Sequence, residues 1–231
     1  MTPPTLTPVA QSIVAQHSPY GISTGFLWNL RDDWTAQTQE ATRFSRAAVE
    51  LSALSEEEVE PLLSFLGDFA LPFGFTSVHG PAKNRRLDEE RLVKLLAKFW
   101  PVAKGVVMHP DTMVDLDAYT RLGDFLVIEN MDARKTDGRT AAELRTYFEA
   151  LPDARFCFDV AHAWSIDPSM KVAEELLDEF GSRLSHVHIS SLDGELHHVA
   201  LTSDDESLFA PLLKRCPDVP WILEARPPAL H

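Results

Sequence analysis

Short apolar runs alternate along this chain with longer segments in which apolar residues recur every three or four positions, as in Leu92, Leu95, Leu96 and Phe99. The two periods predict a series of strand, loop and helix units. The first strand is expected over Tyr20–Gly25, followed by an aromatic loop with Phe26, Trp28 and Trp34 and a helix from about Thr38 to Arg46. A second strand, Ala48–Leu54, runs into Ser55-Glu-Glu-Glu, an N-cap with acidic residues in the first turn of a helix that ends near Gly67. The unit then recurs. Strand Phe75–His79 precedes helix Asp88–Trp100, Gly105–His109 precedes Asp111–Leu122, Phe125–Glu129 precedes Thr140–Ala150, Arg155–Phe158 precedes Met170–Phe180, and Leu184–Ile189 precedes Asp204–Lys214. Pro220–Glu224 is the last of eight expected strands.

Short strands that are apolar on both faces and joined by helices are parallel and linked by right-handed crossovers. The expected fold class is therefore α/β, a single-domain (β/α)8 TIM barrel over residues 20–231. Residues 1–19 hold four prolines and read as an N-terminal arm in which Val9–Gln16 forms a short helix. A doubly wound open sheet is the alternative; it ranks below the barrel because it does not bring every strand end to one point.

The strand ends change the picture from fold to chemistry. His79, His109, Glu129, Asp159 with His162, and Glu224 each stand where an apolar run stops, and His186 and His188 lie two apart on the same side of one strand. Singly, each has an ordinary explanation as a helix cap or a hydrogen-bonded structural residue. Jointly, three carboxylates in converging apolar strands require a cation or several donors. Glu129, Asp159, His188 and Glu224 make a mixed imidazole and carboxylate set suited to a divalent metal, with a position left for water or substrate. His198, in the polar loop Glu195-Leu-His-His198, is a further candidate, while its neighbour His197 reads as solvated and His17 and His231 as surface residues. Glu50, in mid-strand, reads either as a barrel-lining carboxylate or as a buried residue paired with a neighbour.

Charge and composition narrow the partners. A net charge of −14, from 21 basic and 35 acidic residues, argues against a surface built for polyanions and leaves a small-molecule substrate. The two cysteines, Cys157 and Cys216, lie far apart and are expected as reduced thiols. The N-terminal stretch lacks the basic and then apolar order of a signal peptide, and no apolar run reaches about 18 residues, so a cytoplasmic protein without a membrane span is expected.

Ser77-Val-His-Gly-Pro81, Val107-Met-His-Pro110, Ile128-Glu-Asn130, Phe158-Asp-Val-Ala-His162, His186-Val-His188 and Leu223-Glu224, in this order, resemble the xylose isomerase-like TIM-barrel superfamily of sugar-phosphate isomerases, epimerases and endonuclease IV-like nucleases. The resemblance covers roughly residues 20 to 226. It implies a divalent cofactor (Mn, Zn, Mg or Co) held by Glu129, Asp159, His188 and Glu224, with His79, His109, His162 and His198 as possible additional ligands. It also implies that Glu129 and Glu224 exchange a proton with carbon on opposite faces of an enediolate, and that His79, His109 and His162 contact substrate. Lys83 and Arg226, and less so Arg85 and Arg86, would hold a phosphate or carboxylate. The expected function is thus a metal-dependent isomerase or epimerase of a small sugar, sugar phosphate or polyol. The nuclease branch resembles the chain in His79 and His109 as ligands of one ion, and an endonuclease IV-like metal-dependent phosphodiesterase acting on abasic DNA is the alternative, although Leu196 stands where the carboxylate of that branch's Asp-x-His pair is needed for a full three-metal site. A barrel that binds metal or ligand without turnover is a third.

Overall fold

The strands carry two kinds of side chain, one for each side of a curved sheet. The computed structural model describes residues 12–17, 19–83 and 85–227. In it β1 (Tyr20–Ser23), β2 (Ala48–Ser52), β3 (Phe75–His79), β4 (Val106–Met108), β5 (Leu126–Glu129), β6 (Arg155–Asp159), β7 (Leu184–Ile189) and β10 (Trp221–Leu223) pair in parallel. They close in the order β1-β10-β7-β6-β5-β4-β3-β2. The predicted (β/α)8 barrel is therefore the observed fold.

Val49, Leu51, Phe156, Phe158, Val187 and Ile189 belong to the main core, which they share with Leu62, Leu92, Leu144, Leu176 and Phe209 of the surrounding helices. Burying each such side chain contributes roughly 1.5–3 kcal/mol. Val107, Val127 and Cys157 form a separate small cluster. Polar residues occupy the alternate positions, where Glu50 is paired in register with Ser77 and Ser52 with His79. Gly21 is required where β1 meets β2, because a Cβ there would stand 1.9 Å from the Ala48 carbonyl oxygen.

The helices are α1 (Ile13–Gln16), α2 (Trp34–Phe44), α3 (Val59–Asp68), α4 (Glu89–Leu96), α5 (Leu116–Tyr119), α6 (Ala141–Ala150), α7 (Val160–Ile166), α8 (Lys171–Phe180) and α9 (Ser203–Leu213). Two depart from expectation. The helix predicted over Asp111–Leu122 is reduced to the four-residue α5 between 3-10 turns, and the Thr112 carbonyl accepts from Arg85 Nη1 at 2.7 Å. Conversely, α7 starts directly after β6, in a stretch read as loop, with the Asp159 carboxylate as its N-cap.

A further departure is a hairpin of β8 (Ser191–Leu192) and β9 (His198–Val199) in the predicted loop after β7. Part of the arm is docked as well. Val14 is buried, the Ser12 hydroxyl donates to Glu206 at 2.8 Å, and His17, expected at the surface, stacks on Trp221 at 3.8 Å. Residues 9–11 of the expected arm helix, and His231, lie outside the described residues. No described helix is long and apolar enough to cross a membrane.

Candidate functional site

The C-terminal ends of β5, β6 and β7, with Glu224 just beyond β10, deliver four candidate ligands to one place. Parallel pairing sets Glu129 beside Cys157 and Asp159 beside His188. A bulge helps: Phe156 pairs with Leu184 but Cys157 pairs with His186, so the skipped Ser185 brings both His186 and His188 round to the face of Cys157 and Asp159. Ligand atoms of Glu129, Asp159, His188 and Glu224 all lie within 4.8 Å of one another, and so do those of His79, His109 and Glu129. Glu129 is common to both groups.

Proton positions show what this floor lacks. His79 Nδ1 donates to the Gly80 carbonyl at 2.9 Å, which leaves Nε2 facing Glu129 Oε2 at 3.3 Å. His109 Nε2 faces the same oxygen at 3.2 Å. His188 has carboxylates at both nitrogens, Glu129 Oε1 at 2.9 Å and Glu224 Oε1 at 3.3 Å from Nδ1, and Glu50 Oε1 at 3.1 Å from Nε2. Burial opposes charge on His188, yet Cys157, Glu224, Glu50 and Glu129 around it lift its pKa well above the usual imidazole range. Burial likewise opposes ionisation of Glu129, but His188 and the hydrogen bonds from His109, His188 and His79 hold it well below the carboxylate range.

Glu224 goes the other way: burial, beside Glu129 and Asp159, raises it well above that range despite His188. Asp159 Oδ2 and Glu224 Oε2 are buried without a hydrogen-bond partner. Crowded carboxylates, orphaned oxygens and imidazoles that need an extra proton all fit a divalent cation, which would replace those protons with its two positive charges. Asp159 meets both of its possible roles at once, since Oδ1 caps α7 by accepting from the His162 amide at 2.7 Å while Oδ2 stays free.

Beneath the floor lies Glu50, fully buried, which accepts from Ser77 Oγ at 2.9 Å and contacts Nε2 of both His186 and His188 at 3.2 Å. It is thus a barrel-lining carboxylate and a paired one. Beside the floor, Asn130 clamps β5 to β6 through Nδ2 to the Asp159 carbonyl (2.8 Å) and Oδ1 from the Asp159 amide (2.9 Å). His162 Nδ1 donates to the Asn130 carbonyl at 2.8 Å, and its Nε2 is 3.3 Å from His198 Nε2. The β8–β9 hairpin carries His198 to that position, with Nδ1 2.7 Å from Ser190 Oγ. Asp193-Gly194 between two short polar-apolar runs is the signal that reveals such a hairpin in sequence.

Above the floor opens a cavity of about 510 Å³, lined by Phe26 and Trp28 on one side and by Asp132, Arg134 and Lys135 among others. His79, His109, Glu129, His162, His198, Glu224 and Lys83 all line it. Arg226 does not: its guanidinium is turned to Glu40 at 2.9 Å, a pairing that follows from the closure of β10 on β1. Arg85 is taken by Glu56, Glu89 and the Thr112 carbonyl, and Arg86 by Glu57. Arg226, expected to hold substrate, thus faces Glu40 rather than the cavity, and Lys83 alone of that group lines it. Asp132, unremarked in the sequence, is buried in the wall with Oδ2 3.7 Å from His162 Nε2 and both oxygens on Arg134.

The metal-free protein is expected to lose stability on mild acidification. Burial and the neighbouring His162 push His198 down to about 4, below its unfolded value near 6.5. A depressed imidazole costs nothing while both states are neutral; as pH falls below about 6.5 the unfolded chain takes up the proton first, and the loss grows until the folded ring titrates near 4. The loss reaches about 3 kcal/mol at most. Raised His79 and His188 contribute in the opposite sense, through stability present below the unfolded value and lost as pH rises through their folded values. Thermal melts of chelator-treated protein between pH 7 and pH 4 should show a falling Tm whose slope is shallower in His198→Asn; an identical slope refutes the assignment.

Residues 117–227 match the family profile described as xylose isomerase-like TIM barrel. Among solved structures, a 3-keto-D-glucoside 4-epimerase from E. coli is 19% identical with a TM-score of 0.54, over 92% of this chain and 93% of that one. Endonuclease IV from Thermus thermophilus is 21% identical with a TM-score of 0.57, over 91% and 93%. A D-psicose 3-epimerase solved in the presence of D-fructose is 15% identical with a TM-score of 0.58, over 89% and 84%. No curated protein sequence matches the chain.

Proposed function

We propose that this (β/α)8 barrel, whose residues 117–227 match the xylose isomerase-like TIM barrel profile, is a divalent-metal-dependent isomerase or epimerase of a small sugar, sugar phosphate or polyol. One observation carries the reading: two glutamates from different strands, Glu129 and Glu224, meet with Asp159 and His188 within 4.8 Å on the floor of a cavity sized for a small molecule. Glu129, Asp159, His188 and Glu224 would hold the ion, which when bound supplies positive charge to the oxyanion that develops as a neighbouring C–H is deprotonated.

The remaining work falls to the chain. Glu129 is the stronger candidate base at neutral pH, since its four imidazole neighbours favour the ionised form. Glu224, whose Oε1 lies 3.3 Å from His188 Nδ1, is the second carboxylate at the reacting carbons and is placed to return a proton. His188 Nδ1 lies between them, and the hydrogen bond of its other nitrogen to Glu50 fixes the ring. His162 presents Nε2 to the cavity because Nδ1 is committed to Asn130, so it can meet a substrate hydroxyl. Phe26 and Trp28 give the apolar wall against which the carbon face of a sugar can lie.

The convergence of His79 and His109 on Glu129 favours a second reading, an endonuclease IV-like phosphodiesterase with more than one ion, and the T. thermophilus endonuclease IV is among the structural neighbours. Against it stand the net charge of −14 and the commitment of Arg85, Arg86 and Arg226 to Glu partners rather than to a free basic face. The two separate in one comparison. Metal-loaded protein should incorporate deuterium from D2O into a member of a panel of ketoses and ketose phosphates, and lose that activity on chelation. Metal-dependent nicking of an abasic-site duplex without exchange would reverse the order; neither activity in metal-loaded protein would favour a binding barrel.

A further inference from the structure

The cavity is electrically lopsided. Glu129 and Glu224 lie at its floor and Asp132 in its wall, while Lys83, Arg134 and Lys135 also line it. Two of these cations are already neutralised: Arg134 Nη2 is 2.6 Å from Asp132 Oδ2, and Lys135 Nζ is 2.7 Å from Asp111 Oδ2. Lys83 has no carboxylate partner among the described residues. Its ammonium instead lies 5.1 Å over the Trp28 ring, which orients the charge without cancelling it. In a protein with 35 acidic residues, a cavity-lining lysine left unpaired is a charge available to a ligand.

Lys83 is exposed, yet the backbone that carries it is fastened. Its amide donates to the Leu54 carbonyl at 3.3 Å, the Ala82 amide donates to the same oxygen at 3.1 Å, and Lys83 bridges in parallel to Ser55. Just downstream, the Glu56 carboxylate accepts from Arg85 Nε and from the amides of Arg86 and Leu87 at 2.7 to 2.9 Å. The loop after β3 is thereby stitched to the loop after β2, and the ammonium projects from a fixed base. Fixing the backbone removes much of the ordering cost that ordinarily makes a surface lysine a poor anchor.

The geometry points to an anion-binding subsite at Lys83 and Trp28, and hence to a substrate that carries a phosphate ester or carboxylate at the end remote from its reacting carbons. Electrostatics sets the orientation: the three floor carboxylates Glu129, Asp159 and Glu224 outnumber the two charges of a divalent ion, so the anionic end is drawn to Lys83 and the neutral hydroxyl and carbonyl end is presented to Glu129 and Glu224. The Trp28 and Phe26 faces lie along the intervening carbons. This deepens the proton-transfer reading of the floor and rests on it.

Calorimetric binding to the metal-loaded full chain, which needs no turnover, tests the subsite. The probes are D-fructose, fructose 6-phosphate and D-fructuronate, which separate a phosphate ester from a carboxylate on one skeleton. At least one anionic sugar should bind about tenfold or more tighter than fructose, as expected for a charge-assisted hydrogen bond. In Lys83→Gln that preference should fall below about threefold with metal content unchanged, and Lys83→Arg should restore it. A preference that survives in Lys83→Gln puts the anion on the metal and overturns the proposal. Equal affinity of all three sugars, or no binding of either anionic sugar up to millimolar concentration, also overturns it. Lost deuterium exchange with an intact Lys83-dependent preference would instead sink the reaction and leave the subsite standing.

Discussion

Glu129→Gln is expected to abolish detectable proton exchange and to reduce bound metal to a small fraction of an ion per chain. Glu129 is 1% exposed, and its two oxygens are shared by His79, His109, His162 and His188 at 2.9 to 3.6 Å. Glu129 joins the His79 and His109 cluster of candidate ligand atoms to the cluster it forms with Asp159, His188 and Glu224. The amide keeps the shape but brings an N–H into a place where His79, His109 and His188 each turn a ring nitrogen to the carboxylate. Loss of general-base transfer alone accounts for roughly 10²–10⁴ in rate, and the missing ligand adds to it. Metal analysis of protein purified without chelator, beside exchange measured at saturating metal, checks both parts. Wild-type metal content and exchange in the variant would remove Glu129 from the centre of the site.

The same charge set explains why the floor is readable in sequence while its surroundings are not. In a parallel barrel the strands are buried on both faces, so a charged residue that ends an apolar run, such as Glu129 or Asp159, has few ordinary reasons to be there. Phe75–His79 and Leu184–Ile189 are recovered to the residue because the apolar run and the polar stop coincide. What escapes notice depends on contacts distant in sequence. Arg226 looks like a site cation until the barrel closes and brings Glu40, 186 positions away, to its guanidinium. The helix expected after His109 gives way to 3-10 turns, where Arg85, 27 residues upstream, donates to the carbonyl of Thr112. His198 is readable as a candidate but not its placement, because the two-residue strands that carry it inward are too short to leave a period. Asp132 offers no signal beyond its place three residues after Glu129.

Glu50 is the most consequential of these long-range contacts, and Glu50→Ala is expected to cost both stability and metal affinity. The carboxylate sits in mid-β2, fully buried, and contacts His186 and His188, 136 and 138 residues away on β7, as well as Ser77. Burial alone would neutralise it, yet His188 and His186 hold its pKa below the ordinary carboxylate range. Removing it strands two imidazoles and a hydroxyl in the barrel interior. Breaking a buried charged pair in this way typically costs about 3–5 kcal/mol, enough to lower Tm by several degrees in a chain of this size. The metal effect has a different cause and a separate readout. His188 can offer Nδ1 to an ion while Nε2–H donates to Glu50, and loss of such a partner lowers metal affinity about 10–100-fold. Glu50→Gln separates the two, since the amide fills the same space and still offers an oxygen to one imidazole. It should recover most of the Tm while binding metal less tightly than wild type, because a neutral acceptor polarises the ring less than a carboxylate. Isothermal titration with Mn and Zn, beside thermal melts of the metal-free variants, measures the two effects independently. Wild-type metal affinity in both variants would confine Glu50 to the fold.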